Sequence, residues 1–135
     1  MSDAVSAGVT THRFRFVPAA IWAAAIWFAS SRVWTGVPTR WDWLPEWLPL
    51  DKGAHAVLFA VLAGLLAVPL ARKTFQTLMV CWIGATLWGA VDEWHQFYVP
   101  GRQMDAFDLV ADAVGAALAV AAVAVAVRVR RRAIG

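Results

Sequence analysis

The sequence predicts an all-α protein, a four-helix transmembrane bundle with both termini cytoplasmic, on three observations. The first is composition: 61% of the 135 residues are hydrophobic and 16% are charged, against roughly 25% charged in an ordinary soluble domain. The second is length. Mostly apolar stretches at about 14–31, 53–70, 74–91 and 106–127 hold 18, 18, 18 and 22 residues, close to the ~20 a helix needs to cross ~30 Å of hydrocarbon. The third is charge placement. With four crossings, Arg13, Arg15, Arg72, Lys73, Arg128, Arg130, Arg131 and Arg132 fall on one side, and every acidic residue except Asp3 falls on the other. Short cytoplasmic loops carry the Lys/Arg excess, so that side is the cytoplasm. The expected division is a cytoplasmic tail at 1–13, one membrane domain at 14–127 and a basic cytoplasmic tail at 128–135.

Each element has its local reason. Residues 1–11 are small and polar enough to be disordered. The first span follows Arg13 and Arg15 and ends in Ser30, Ser31 and Arg32. The same stretch also fits a signal peptide with a weak cleavage-like ending at Phe28, Ala29 and Ser30; cleavage there would leave the other spans oriented as before. The segment from Trp34 to Leu50 carries four of the nine tryptophans and three prolines. Tryptophan favours the headgroup level and proline breaks long helices, so it is expected to lie along the outer surface, as an aromatic belt or as a lid over a site. The second and third spans, joined by the short basic turn Pro69 to Thr74, form an antiparallel hairpin. The fourth opens with Asp108 and Asp112 and ends in an Ala/Val run before the arginines.

The net charge of +3 is a topology signal rather than a nucleic-acid footprint, because the basic residues flank the spans. The arginine tail is expected to meet anionic membrane lipids. A single cysteine, Cys81, permits no intrachain disulfide and reads as a packing residue. No nucleotide, zinc-protease or dithiol signature occurs, which argues against those chemistries.

The polar residues concentrate at the outer end of three spans. Asp51, Lys52 and His55 open the second; Asp92, Glu93, His95 and Gln96 close the third; Arg102 stands in the next turn; Asp105, Asp108 and Asp112 open the fourth. At 100° per residue the three aspartates lie within about 60° of one another, and Gly115, Ala116 and Ala119 continue that side. Such a stripe belongs against other helices, since small residues permit close approach and carboxylates avoid lipid. A charge near the bilayer centre costs several kcal/mol (~2.5 to 3.5 on the mildest scale), so Asp108 and Asp112 call for an explanation.

These residues together, with Ser30 and Ser31, Pro100, Gly101 and Gly115, resemble the VanZ-like family of small bacterial integral membrane proteins, over nearly the whole chain from Ser30 to Ala119. Members often carry Asn where this chain has Asp112. The resemblance implies a multi-pass protein of the bacterial cytoplasmic (inner) membrane and a possible link to glycopeptide (teicoplanin) resistance; it implies no established reaction.

Two functional classes follow. In the first, an extracytoplasmic polar site binds or modifies a cell-envelope molecule, such as a phosphate-bearing lipid or a lipid-linked precursor. Arg102 would hold an anion bidentately and Lys52 a second charge, with Asp51 and Gln96 as further ligand contacts. His55, Glu93 and Asp92 would be the catalytic candidates, moving a proton. Asp105, Asp108 and Asp112 would take a divalent cation, Mg²⁺ or Ca²⁺ by their hard oxygens. In the second class the same charges form a salt-bridged network that fixes a non-catalytic scaffold and presents it to a partner. A transporter is the weaker third.

Overall fold

A computed structural model describes residues 14–33, 50–70 and 73–134. Among them stand four helices, α1 (Val17–Ser30), α2 (Leu50–Ala67), α3 (Phe75–Phe97) and α4 (Ala106–Ile134), and no strand. The loop expected along the membrane surface, the N-terminal tail and the Ala71–Arg72 part of the basic turn lie outside the described residues.

The ends of the helices follow ordinary capping chemistry. Pro18 stands in the first turn of α1, where its missing N–H costs nothing. Thr74 caps α3, its Oγ1 accepting from Thr77 N at 3.2 Å. Asp105 caps α4, accepting from Phe107 N at 2.8 Å.

Two boundaries depart from expectation. The third apolar stretch ends at Val91, yet α3 runs on to Phe97, because Asp92, Glu93 and Gln96 turn inward, where partners meet them. The fourth ends at Val127, yet α4 continues through the arginines to Ile134. At 1.5 Å per residue its 29 residues measure about 43 Å, so the basic segment is a helical extension. In contrast α1, with 14 residues, covers only about 21 Å.

The helices are apolar on their outer faces, and their buried charges gather in one layer beside an apolar core. α2 and α4 are long and apolar enough to cross a membrane, and only 22% of each apolar stretch is buried inside the molecule, which a core helix of a soluble protein would exceed. Ile21, Phe28, Val57, Val61, Leu87, Val110 and Leu118 are exposed, while Asp92, Glu93, Gln96, Asp108 and Asp112 are buried. That distribution suits a lipid environment better than water.

The most extensive helix pair is α2 with α4. Its closest approach is at Gly115, where an added Cβ would run into the backbone of Ala56, so the small-residue stripe does face a neighbouring helix. α3 packs against both, tied by Trp82 Nε1 donating to Ala113 O at 2.9 Å. α1 is tied to α2 by Trp22 Nε1 donating to Leu58 O at 2.9 Å. Phe59, Leu62, Ala63, Ala85 and Ala116 fill the centre.

Candidate functional site

The end of α1, the start of α2, the end of α3 and the start of α4 meet in one polar layer, as the clustering of polar residues at the outer span ends predicts. The layer has two halves, with His55 between them.

The first half is a cavity of about 250 Å³ lined by Ser30, Asp51, His55, Asp92, Gln96 and Arg102, with Ile26, Ala29, Ala54, Leu58 and Phe59 as its apolar wall. Ser30 Oγ donates to Asp92 Oδ1 at 2.5 Å. Gln96 Nε2 donates to Asp92 Oδ2 at 3.0 Å and lies 3.3 Å from Glu93 Oε1. Both Asp92 oxygens are thus occupied, which makes Asp92 an acceptor that fixes α1 against α3.

Arg102 is placed by a tight turn. Its N–H donates to Val99 O at 3.0 Å, Pro100 stands at the second position and Gly101 at the third with φ 82°; this is the type II pattern, and the positive φ asks for glycine. The Arg102 side chain reaches the cavity, where its Nε is buried with no hydrogen-bond partner. Among the described residues no carboxylate pairs with it.

The second half is an ion cluster between α2 and α4. Lys52 Nζ contacts Asp105, Asp108 Oδ1 at 2.6 Å and Asp51 Oδ2 at 3.2 Å. Lys52, expected to meet a ligand charge, is therefore shared by three carboxylates and does not line the cavity. Its bond to Asp105 holds that carboxyl, which precedes α4, below the usual carboxylate range. His55 Nδ1 lies 3.0 Å from Asp112 Oδ1, and Asp112 Oδ2 is buried without a partner. Glu93 Oε2 accepts the N–H of Asp105 at 2.8 Å, fastening the head of α4 to α3.

The three aspartates expected to share a cation are thus divided: Asp105 belongs to Lys52, Asp112 to His55, and Asp108 lies between. The residues whose ligand atoms do converge, within 4.8 Å of one another, are His55, Glu93 and Asp108.

Trp27 and Gly89, which no sequence motif marks, also shape the layer, together with His95 and Ser31. Ser31, like Ser30, is a nucleophile candidate only by its reach to this layer. Trp27 stacks on His95 with ring centroids 3.8 Å apart. Ser31 Oγ donates to Trp27 O at 2.6 Å and lies 2.9 Å from His95 Nε2. A hydroxyl has one proton to give, so the imidazole is the donor to Ser31, and the pair is not arranged as nucleophile and base. Gly89 gives Asp112 its room: a Cβ there would meet Asp112 Oδ2. Its position three residues before Asp92, on the same helical face, was the available signal.

A family model described as VanZ/LLP1 matches residues 4–127. The chain belongs to the VanZ/LLP1 family. The match takes in all of the cavity and the ion cluster, so both halves of the layer lie within the VanZ/LLP1 region. No curated protein and no solved structure matches the chain.

Proposed function

We propose that the chain is a multi-pass protein of the bacterial cytoplasmic membrane whose extracytoplasmic cavity binds the phosphate of a cell-envelope molecule, a lipid headgroup or a lipid-linked precursor. The observation that carries this is Arg102, a guanidinium on a turn built to hold it, facing a cavity with Nε buried and unpaired. A partly buried guanidinium whose Nε is cut off from water and has no counter-charge gains when a ligand supplies one. The cavity is below the usual 300–1,000 Å³ of a drug-sized pocket, which suits a headgroup whose tail stays in lipid.

In this reading α1 to α4 are the four spans. Both ends of the chain are cytoplasmic and the basic end of α4 rests at the anionic inner leaflet. Arg102 and Gln96 contact the ligand, Asp51 lies at the cavity's exposed rim, and His55 is the wall residue able to carry a proton. Decreased teicoplanin susceptibility, implied by the family resemblance, is a phenotype to score alongside. The Lys52 cluster favours a structural role for that half of the layer, because three carboxylates already satisfy its charge.

The test is a titration of the purified protein with farnesyl phosphate against farnesol, which shares the tail and lacks the anion. Binding of the phosphate alone, lost about equally in Arg102→Lys and Arg102→Ala, is expected, since lysine cannot reproduce a planar two-pronged contact. Equal binding of both probes, or full binding by the lysine variant, refutes the assignment.

A further inference from the structure

The two nitrogens of His55 have different surroundings. Nδ1 is engaged by Asp112 Oδ1 at 3.0 Å, whereas Nε2 faces Asp108 Oδ2 across 3.8 Å, beyond hydrogen-bond reach. We propose that His55, Glu93 and Asp108, contributed by α2, α3 and α4, bind a first-row divalent cation of the Mn²⁺ type between them. This site goes beyond the anion-binding reading and does not rest on it.

Separation is the first argument. His55 Nε2 and Asp108 Oδ2 are too far apart to hydrogen-bond, but 3.8 Å suits two ligands each about 2.1 Å from a shared ion; the set with Glu93 spans up to 4.8 Å and closes by a few tenths of an ångström on the ion. Asp108 is only 8% exposed; its Oδ1 meets Lys52, which leaves Oδ2 as the oxygen that faces His55 Nε2 across this gap.

Orientation is the second. A metal-binding imidazole characteristically gives its other ring N–H to a carboxylate, which fixes the tautomer and aims the free lone pair at the ion. Asp112 stands in that place. Glu93 is steadied in the same manner by Asp105 N and Gln96 Nε2.

Charge is the third. Asp92, Glu93, Asp108 and Asp112 are each at most 8% exposed, and Lys52 and Arg102 are the permanent cations reaching this layer among the described residues. Arg32 lies over the exposed ring of Phe28. Lys52 is shared by three carboxylates, Asp108 among them, so a divalent cation at this point adds positive charge chiefly for Glu93, a carboxylate that apolar surroundings otherwise penalise. The donor set decides the ion's class: one imidazole with two carboxylates suits Mn²⁺, Fe²⁺ or Zn²⁺ better than Mg²⁺ or Ca²⁺, which prefer oxygen throughout. Because the donors come from three helices, no local motif announces the site. His55 also lines the cavity, so the ion sits in the wall that a bound phosphate would face.

The test is a Mn²⁺ titration of chelator-stripped, purified full-length protein, following free Mn²⁺ by electron paramagnetic resonance with no lipid phosphate added. One Mn²⁺ per chain, displaced by Zn²⁺, is expected. Folded His55→Gln, Glu93→Gln and Asp108→Asn proteins should each lose at least about a hundredfold in affinity. Asp112→Asn, which removes no ligand and only the orienting carboxylate, should lose about ten- to a hundredfold, and decides the matter if the ligand variants do not fold. A wild-type protein that takes up neither Mn²⁺ nor Zn²⁺ at millimolar concentration overturns the site, as does unchanged affinity in the folded variants. The farnesyl phosphate result is independent of both.

Discussion

Gly115→Ala adds one methyl group at the closest approach of α2 and α4. The new Cβ would overlap the backbone carbonyl of Ala56, and backbone cannot swing aside as a side chain does, so the two helices must part. Inserting a methyl into a packed contact costs about 1–3 kcal/mol. A central value of about 2 kcal/mol is roughly a thirtyfold shift in the folding equilibrium. The site feels the change as well, because Lys52 with Asp105 and Asp108, and His55 with Asp112, all bridge this same helix pair. The built-in controls are Gly53, Gly64 and Gly84, which have nothing within 4 Å of an added Cβ. Alanine there should be neutral or stabilising by up to about 1 kcal/mol through helix propensity. The assay is reversible unfolding in mixed micelles, monitored by tryptophan fluorescence, for all four variants. A Gly115→Ala protein as stable as Gly64→Ala would refute the close α2–α4 packing.

Asp112→Asn should keep the fold, since the amide oxygen can still accept from His55, whereas Asp112→Leu leaves a buried ring N–H unpaired at about 1–3 kcal/mol and should lower folded yield; equal yields would contradict the pairing. Asp105, depressed by the Lys52 hydrogen bond, contributes stability that is present above its ordinary carboxylate range and is lost as pH falls through its lowered value. Acidification below about pH 4 should therefore destabilise wild type more than Asp105→Asn, and parallel curves would count against that bond. For topology, a fluorescent reporter fused at Gly135 should light up in the cytoplasm, and a cysteine at Thr39 should react with an impermeant thiol reagent in intact cells with a permeabilised outer membrane. Labelling only after lysis would reverse the orientation.

Helix spacing made the convergence of the polar residues legible: one-turn intervals put Asp51 with His55, Asp92 with Gln96, and Asp108 with Asp112 on common faces. What it could not give was the rotation of each face toward its neighbour. Lys52 reads equally well as a ligand contact or a network member until α2 and α4 are set in register, and that register depends on Gly115 against Ala56. Hydropathy likewise ended the third span at Val91, because it scores Asp92 and Glu93 as if they met lipid. Ser30 and Asp105 N show why α3 continues: a carboxylate inside a bundle needs a donor, and both are donors from distant parts of the chain. The idle Arg102 was visible as a charge in a Pro-Gly turn, but only the packing shows that no carboxylate reaches it among the described residues.

The most direct test of the central reading is native mass spectrometry of the protein extracted from its own membrane, wild type beside Arg102→Lys, with the mildest detergent that yields a monodisperse sample. Expected is a phosphate-bearing lipid adduct on the wild type that survives collisional activation and is lost from the lysine variant. The same adducts on both proteins, or none that carries phosphate, would contradict an anion site at Arg102.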